Sequence, residues 1–414
     1  MLKHGSRKAT RFSLRLALLI ALFPALTILS SCNKEAASNP TTTTPPDNPV
    51  DNGGKPVDPS VAIPTTPGVL GAMPEDNLIS NPQFAARVEL GRHLYFDGRV
   101  SVGGDSLSTD PDKQVGVSCG SCHSPAQAFS DPLATAQQPM SFGVKHFRGF
   151  RNAPGLTNVA YNVKYTWDGK FNTLEAHAPG PMFSAAEMGS VPASPSYYGK
   201  PNEDTLLLFK RLQKEPKYAE LFANAFGEQS ISLDHICKAI ASFERTFIST
   251  ETPFDNYNRA LHNSGGNIAA ISESAKRGFK IFIDPVKGNC ISCHSGFNFT
   301  DGGFHNNGLK PDQNDLGQKF VTGSNEDLNK FKVPTLRNIA VTGPYMHNGS
   351  MPTLEDVVKF YQSLNKETYY SSNVDERIKK INLTDQDVTD IVEFLKTLTD
   401  DSFLKNMAFA NPWK

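Results

Sequence analysis

The sequence has almost no excess of charge of either sign, because 41 lysines and arginines balance 42 aspartates and glutamates in 414 residues. A chain this close to neutral has no overall field that would attract nucleic acid, and no nucleic-acid partner is expected. Alternation of apolar and polar residues, the pattern of half-buried strands, is also rare, which argues against a β-rich fold. Cysteine is scarce at six residues and tryptophan is scarcer at two, so the position of each is informative.

The first 31 residues have the pattern of an export signal. Basic residues precede an apolar run over 16–29, which at roughly 14 residues is shorter than the roughly 20 that a membrane span needs. The run ends in Leu29-Ser30-Ser31-Cys32, which resembles the lipobox of bacterial lipoproteins. We therefore expect a signal peptide over 1–31, a lipid on Cys32 and a mature lipoprotein anchored to a membrane on the periplasmic side. A simple secretory signal with an incidental cysteine is the alternative.

Residues 32–73 are rich in proline, threonine, asparagine and glycine. Such a segment buries too little apolar surface to fold, and it is expected to be a disordered tether. Its most biased part, roughly 38 residues over about 33–70, has a typical reach of about 35 Å, which would lift a folded body away from a lipid surface. We place two folded domains after the tether, over 74–264 and 265–414.

Two segments of the body resemble one another. Residues 86–102 and 273–289 each combine a charged amphipathic helix pattern, a glycine and an aromatic cluster, and each leads to a cysteine motif. Helical spacing also recurs over four further stretches, 204–214, 217–226, 232–249 and 384–398. Thr384 is the predicted N-cap of the last stretch. The sequence therefore predicts a mainly α protein with long loops, built as two related units.

The repeated motif is Cys-x-x-Cys-His, the attachment signature of c-type haem. Two thiols add to the vinyl groups of the porphyrin, and the histidine that follows is placed as a ligand of the iron. Zinc ligation, a redox-active dithiol and structural disulfides are the alternatives, but none of them requires a histidine after both pairs. We therefore expect two covalently bound haem c groups. The two sets of residues are Cys119, Cys122 and His123, and Cys290, Cys293 and His294.

The body, over about 77–400, also carries an ordered set of short sequences. They are RNAP at 151–154, WDG at 167–169, LE at 174–175, GP at 180–181, EM at 187–188, VPTLRN at 333–338 and TGPYMHNGS at 342–350. With this set the chain resembles the bacterial dihaem cytochrome c peroxidases and the related MauG group. The resemblance implies two cytochrome c-like helical domains. It also implies a peroxidatic haem in the N-terminal domain and a C-terminal haem that takes electrons from a donor.

The resemblance further implies residues for the peroxidatic side. Trp167 matches a tryptophan that lies between the two haems. Glu187 matches an acidic residue above the peroxidatic iron, where a carboxylate can move a proton between the oxygens of peroxide. The family commonly has glutamine ten residues after the tryptophan, whereas this chain has His177. We expect His177 in the distal pocket, as a hydrogen-bonding group that can also take a proton, or as an iron ligand.

The candidate sixth ligands of the two irons depart from the pattern of the family. In many of these peroxidases a loop histidine occupies the sixth position of the oxidised peroxidatic haem, and the candidate here is His146, whose offset from RNAP differs from the family pattern by two residues. Without that ligand the enzyme would need no reductive activation. At the C-terminal haem the peroxidases supply methionine, whereas the matching residue here is Tyr361, as in MauG. Met346 is the rival ligand.

A calcium ion between the domains is also implied by the resemblance. Its protein ligands match the Asn152 side chain and the carbonyl groups of Thr342 and Pro344, and oxygen-only ligation suits Ca²⁺. Members of the family often dimerise, so a homodimer is expected by analogy.

Three functions are therefore compatible with the sequence. The first is a membrane-tethered peroxidase that reduces hydrogen peroxide to water with electrons from a small c-type cytochrome or a similar donor. The second is a MauG-like enzyme, in which the same centre oxidises a side chain of a protein partner. The third is a non-catalytic dihaem electron carrier.

Overall fold

The computed structural model describes residues 82–101, 116–144, 148–184, 186–189, 203–364 and 372–414. Cys32, the predicted signal peptide and tether, and His146 lie outside these residues. Within them the chain is mainly helical, as predicted. None of the helices in these ranges is both long and apolar enough to cross a membrane.

The α-helices of the described residues are, in chain order, α1 (Pro82–Tyr95), α2 (Cys119–Cys122), α3 (Leu174–His177), α4 (Pro179–Phe183), α5 (Glu203–Gln213), α6 (Pro216–Phe226), α7 (Leu233–Glu244), α8 (Pro253–Leu261), α9 (Glu273–Ile283), α10 (Lys319–Thr322), α11 (Leu354–Ser363), α12 (Asp385–Lys396) and α13 (Asp401–Leu404). Two short strands, β1 (Phe304–His305) and β2 (Phe331–Lys332), pair antiparallel with Phe304 opposite Lys332.

Each half of the body contains a pair of helices that approach one another at a glycine. In the N-terminal half α1 packs on α7, and Gly91 faces the backbone of Ala239. In the C-terminal half α9 packs on α12, and Gly278 faces the backbone of Asp390. At both positions an added Cβ would overlap the facing carbonyl oxygen. These glycines, one in each of the two similar segments, therefore permit the close helix contact.

Replacement of Gly278 by alanine is expected to lower the free energy of unfolding by about 1–3 kcal/mol, because the added methyl group forces α9 away from α12. Alanine is intrinsically the better helix former by about 1 kcal/mol, so a measured loss reports the steric clash. Chemical denaturation of the haem-loaded protein measures the change. Lys280→Ala, on the exposed side of the same helix, serves as the control. If the Gly278→Ala protein were as stable as the parent, α9 and α12 would be able to accommodate the methyl group without a loss in the free energy of unfolding.

The similarity between the halves continues past the cysteine motifs. Residues 151–181 and 331–361 align without a gap at a constant offset of 180 positions. Each stretch contains an asparagine with positive φ followed by a 3-10 turn, Val159–Tyr161 in the first and Ile339–Val341 in the second. Each then starts a helix, α3 or α11, capped by a threonine side chain. The internal similarity seen in the sequence is therefore one part of a longer repeat.

Reciprocal backbone hydrogen bonds join the two repeats. The amide of Asn152 donates to the carbonyl of His347, and the amide of Lys332 donates to the carbonyl of Trp167, both at 2.8 Å. Asn152 and Lys332 are equivalent positions of the repeat, and so are Trp167 and His347. The halves therefore make the same bond to one another in both directions, with Trp167 and His347 at the contact.

Two hydrophobic cores lie in the body. One is built from α1, α5, α6 and α7, and the other from α8, α9, α11 and α12. Phe403 and Phe409 of the C-terminal tail return to the first core, whereas α8 contributes to the second. No single position in the sequence separates the residues of one core from those of the other. The predicted domain boundary between residues 264 and 265 therefore stays a proposal.

A buried ion pair ties α8 to the VPTLRN segment. Arg337 donates from Nη1 and Nη2 to the two carboxylate oxygens of Asp255, both at 2.8 Å, and from Nε to the carbonyl of Phe297 at 2.6 Å. Each residue of the pair is 2% exposed. Asp255 also accepts from the amide and hydroxyl of Thr252, the N-cap of α8. The two buried charges are thus paired and hydrogen-bonded, as burial of charge requires.

Candidate functional site

The first cysteine motif forms a single turn of helix. Because α2 spans Cys119–Cys122, the two cysteines lie on one face of the turn, and His123 follows as the C-cap. The second motif begins in a 3-10 turn, Cys290–Ser292. None of the four motif cysteines forms a disulfide, so their thiols are available for other bonds.

Both motif histidines are held in one orientation by a backbone carbonyl. Nδ1 of His123 lies 2.7 Å from the carbonyl oxygen of Phe129, and Nδ1 of His294 lies 3.0 Å from that of Phe299. A carbonyl only accepts, so Nδ1 carries the proton in each ring and Nε2 keeps its lone pair. This is the arrangement that a metal-binding histidine needs, since the second-shell bond fixes both the tautomer and the ring.

The two acceptor phenylalanines were not identified from the sequence. Phe129 and Phe299 have φ of 61° and 51°, a region that large side chains avoid. Both side chains are fully buried, so packing holds the unfavourable backbone that directs each carbonyl to its histidine. A signal was present, because each residue starts a Phe-Ser/Thr-Asp sequence, at 129–131 and 299–301.

His177 and Glu187 lie around the same centre as His123. Burial, together with the nearby His123, lowers the pKa of His177 to about 4, which leaves the imidazole neutral at physiological pH. Burial raises the pKa of the Glu187 carboxyl. Burial is the main cause that raises the pKa of Cys119 and Cys122; Glu244 adds to it at Cys119 and Asp131 at Cys122, and Glu187 makes a smaller contribution at both. A carboxyl group and a neutral imidazole therefore lie beside the first motif.

Contacts outside the motif position the backbone of Glu187 and the ring of His177. The carbonyl of Glu187 accepts from the amide of Val144 at 2.6 Å. A Cβ at Gly143 would overlap that same carbonyl, so the glycine lets the 142–144 segment pass directly against Glu187. The His177 ring lies edge-on to Phe171, with centroids 5.4 Å apart.

Trp167 lies at the contact between the halves. Its indole Nε1 donates to the carbonyl of Asn152 at 2.8 Å, and its own carbonyl accepts from Lys332. The residue also lines the cavity around the second cysteine motif. Its counterpart in the repeat, His347, stacks on Phe331 with ring centroids 3.6 Å apart. Each of these two residues thus has a side-chain contact within its own half and a backbone carbonyl bonded to the other half.

The cavity around the second motif contains both rival ligands. Tyr361, from α11, and Met346 line it together with His294. Nδ2 of Asn307 lies 3.4 Å from Sδ of Met346 and 3.5 Å from the Tyr361 oxygen. Burial raises the pKa of Tyr361 to about 12. The structure therefore brings the two candidates together at one amide, and Asn307 is a further site residue that no sequence motif marked.

Comparison with known proteins identifies the family. The profile described as "Di-haem cytochrome c peroxidase" matches residues 85–263, and that described as "Cytochrome c" matches 275–399. The methylamine utilization protein MauG of Methylophilus methylotrophus is 36% identical, over 80% of this chain and 87% of that relative. The cytochrome c551 peroxidase of Nitrosomonas europaea is 32% identical, over 77% of this chain and 82% of the relative. The chain belongs to the dihaem cytochrome c peroxidase and MauG family.

Solved structures of this family have the same fold. A MauG-like protein associated with microbial copper homeostasis matches with a TM-score of 0.67 at 30% identity, covering 82% of this chain and 96% of that one. The diheme peroxidase BthA from Burkholderia thailandensis matches with a TM-score of 0.60 at 23% identity, covering 78% and 89%. The predicted fold of cytochrome c-like helical domains is confirmed, and the family contains oxidoreductases.

The residues of this family member fit two haem c groups. Each motif offers two cysteine thiols outside any disulfide for thioether bonds, and a histidine whose Nε2 is left for the iron. In the C-terminal half these groups open on a cavity with further candidate ligands. Two haem c groups are also the cofactors that the dihaem family implies.

The three residues predicted to bind calcium lie together at the contact between the halves. Asn152, Thr342 and Pro344 line one cavity. The Asn152 amide donates from Nδ2 to the carbonyl oxygen of Pro344 at 2.5 Å. A calcium ion would have to replace this hydrogen bond, so the calcium site stays a proposal.

A charged network borders the second motif and was not anticipated. His305 binds Asp301 through Nε2 at 2.8 Å and Asp375 through Nδ1 at 3.0 Å. Burial lowers the pKa of His305, but the two carboxylates outweigh it and the net change is upward. Arg377 also pairs with Asp375 at 2.8 Å. Sγ of Cys293 lies near Asp301 and His305, yet a sulfur in a thioether is no thiolate, so this cluster is not a metal site when haem is attached.

Proposed function

We propose that the protein is a peroxidase that reduces hydrogen peroxide to water at the N-terminal haem, with electrons from a small c-type cytochrome that enter at the C-terminal haem. An asymmetry within the repeat carries the proposal. His177 and Glu187 lie around His123, whereas the counterpart of His177 in the second half is Val357, which lines the other cavity. At this position of the repeat the first centre thus has a polar side chain, His177, and the second has an apolar one, Val357.

Proton transfer is the part of the reaction that the chain performs. Bound haem supplies the iron that exchanges electrons with peroxide. Reduction of hydrogen peroxide to two water molecules takes up two electrons and two protons. Glu187, whose pKa is raised by burial, can take the proton from one peroxide oxygen and deliver it to the oxygen that leaves as water. The neutral His177 can orient peroxide by a hydrogen bond.

Electron transfer between the centres is proposed to involve Trp167. Hydrogen bonds at the indole Nε1 and at the backbone carbonyl fix this residue between the halves. A rigid aromatic side chain at that contact supports a coupling role, as does its match to the tryptophan of the family.

The test of the proposed function is turnover of peroxide with a reduced c-type cytochrome. The haem-loaded protein is mixed with hydrogen peroxide and reduced cytochrome c, and the loss of the reduced absorption band is followed. A peroxidase oxidises cytochrome in the two-to-one ratio to peroxide that the electron balance requires. A protein that takes up electrons from cytochrome but shows no peroxide-dependent oxidation of it is not a cytochrome c peroxidase, and that result would end the proposal.

A MauG-like oxidation of a protein partner is the second candidate. The position of Tyr361 in the second cavity favours it, as does the 36% identity to a MauG protein. The acid–base pair at the first centre serves either reaction. The two therefore differ in where the oxidising equivalents go, and the coordination of the C-terminal iron is the property that separates them.

Tyr361→Phe is expected to change the absorption and EPR spectra of the C-terminal haem and to leave those of the N-terminal haem unchanged. The expectation follows from the phenol oxygen lying 3.5 Å from Nδ2 of Asn307, in a cavity that His294 also lines. Met346→Leu is the matched variant. A change in Met346→Leu with none in Tyr361→Phe would assign the sulfur as ligand and favour the peroxidase.

Further proposals come from the sequence alone. We propose export as a lipoprotein through Cys32, calcium at Asn152, Thr342 and Pro344, and a homodimer. For His146 we propose a solvated loop histidine, so that activation would not depend on reduction; the alternative is a ligand of the peroxidatic iron. Mass spectrometry of the mature chain tests the lipid, and metal analysis tests the calcium.

A further inference from the structure

Lys332 is a lysine whose backbone is fixed and whose charge has no partner among the described residues. It lies in β2 opposite Phe304, and its amide donates to the carbonyl of Trp167 at 2.8 Å. It is thus held at the contact between the halves. Its side chain forms no hydrogen bond or ion pair with any residue that the structure describes.

The surroundings of the Lys332 ammonium are unfavourable for a charge. Burial alone lowers its pKa to about 8, and no carboxylate contributes to the shift. Lys332 is half-buried, and an ammonium group partly removed from water without a counter-ion is unfavourable, so an anion is expected to reach it. Its counterpart in the repeat is Asn152, a neutral residue whose amide is already bound to Pro344.

The cavity that Lys332 lines is the one around the second cysteine motif. Lys332 shares this lining with Cys290, Cys293 and His294 of the motif. A c-type haem is attached through its vinyl edge, and its two propionate carboxylates project from the opposite edge. The carboxylates that a bound haem would bring into this cavity are its two propionates.

We propose that Lys332 is the counter-ion of a propionate of the haem bound by His294, and that it raises the reduction potential of that haem. A nearby positive charge stabilises the reduced centre, which carries one positive charge fewer, relative to the oxidised one. The equivalent position in the first half carries Asn152, so the charge acts on the C-terminal haem selectively. Electrons would thereby be drawn to the haem at which the donor delivers them.

The experiment is a mediated redox titration of the haem-loaded protein, with the two haems separated by their spectra. Lys332→Gln is expected to lower the equilibrium constant for reduction of the C-terminal haem about tenfold, which corresponds to about 59 mV for one electron. Lys332→Arg, which keeps the charge, is expected to restore most of the potential. Lys280→Gln removes an exposed charge from the same half and is expected to change the constant by less than about threefold, because solvent and salt screen it.

Haem content is measured first, by mass and by the haemochrome spectrum. If Lys332→Gln loses the C-terminal haem while Lys332→Arg keeps it, a charge is needed at this position and the proposal stands. If both variants lose it, the shape of lysine is what matters and the proposal fails. It fails equally if Lys332→Gln keeps both haems with unchanged potentials. The titration depends on haem attachment but involves no peroxide, so its failure would leave the proposed peroxidase function untouched.

Discussion

Glu187→Gln is expected to lower kcat for peroxide reduction by about 10²–10⁴-fold, the usual contribution of a general acid–base group. Glutamine preserves the size of the side chain and its capacity for hydrogen bonds, but it cannot carry a proton from one peroxide oxygen to the other. The carboxyl lies near Cys119 and Cys122. The surrounding protein desolvates it and raises its pKa, although the residue itself is exposed. Steady-state turnover with reduced cytochrome c measures the effect.

Glu220→Gln is the matched control for this variant. Glu220 lies on the exposed side of α6, and its replacement is expected to leave turnover unchanged. Both proteins should contain two haems and have the same spectra as the parent. Normal turnover in Glu187→Gln, with both haems in place, would show that another group moves the proton.

Asp255→Ala is expected to lower the free energy of unfolding by about 3–5 kcal/mol, because it leaves the guanidinium of Arg337 buried without its partner. The variant also removes the carboxylate that accepts from the amide and hydroxyl of Thr252. Arg337 lines the cavity of the second centre, so haem content is checked before stability. Chemical denaturation of the haem-loaded protein gives the change.

Lys405→Ala provides the comparison for an exposed ion pair. Lys405 and Asp401 lie 2.9 Å apart, and their side chains are 74% and 76% exposed. Loss of such a pair is expected to cost less than about 1 kcal/mol. If Asp255→Ala cost no more than this control, the buried pair would be dispensable for stability.

The helices and the haem motifs could be predicted from the sequence because their signals are local. Thr384 caps α12 as predicted, with its hydroxyl accepting from the amide of Asp387. The stretch at 232–249 was predicted too long, since α7 ends at Glu244. Beyond it the chain leaves the helix, and the carbonyl of Phe247 and the amide of Ser249 bind Asn158 instead. A tertiary contact of this kind leaves no trace in helical periodicity.

The parts of the site that escaped prediction depend on the meeting of distant segments. Asn307 reaches Met346 and Tyr361 only because β1 and α11 come together. The charge of Lys332 has no partner among the residues that the structure describes. Such a lack depends on the residues that surround it in space, which no single segment of sequence records. The repeat at an offset of 180, in contrast, was present in the sequence. It went unnoticed because identities such as Asn158 with Asn338 are spread thinly over 31 aligned positions.

The wall of the second cavity is drawn from both halves. Ala153, Pro154 and Trp167 stand in it beside Leu336 and Leu354. If the chain were cut between the halves and the N-terminal half removed, one wall of the cavity around the C-terminal haem would be lost. The two halves share a repeated structure, yet the C-terminal half cannot enclose its cavity alone. A single-haem cytochrome could therefore not replace the N-terminal half. We expect a C-terminal fragment to mature poorly unless its missing wall is supplied in the same cell.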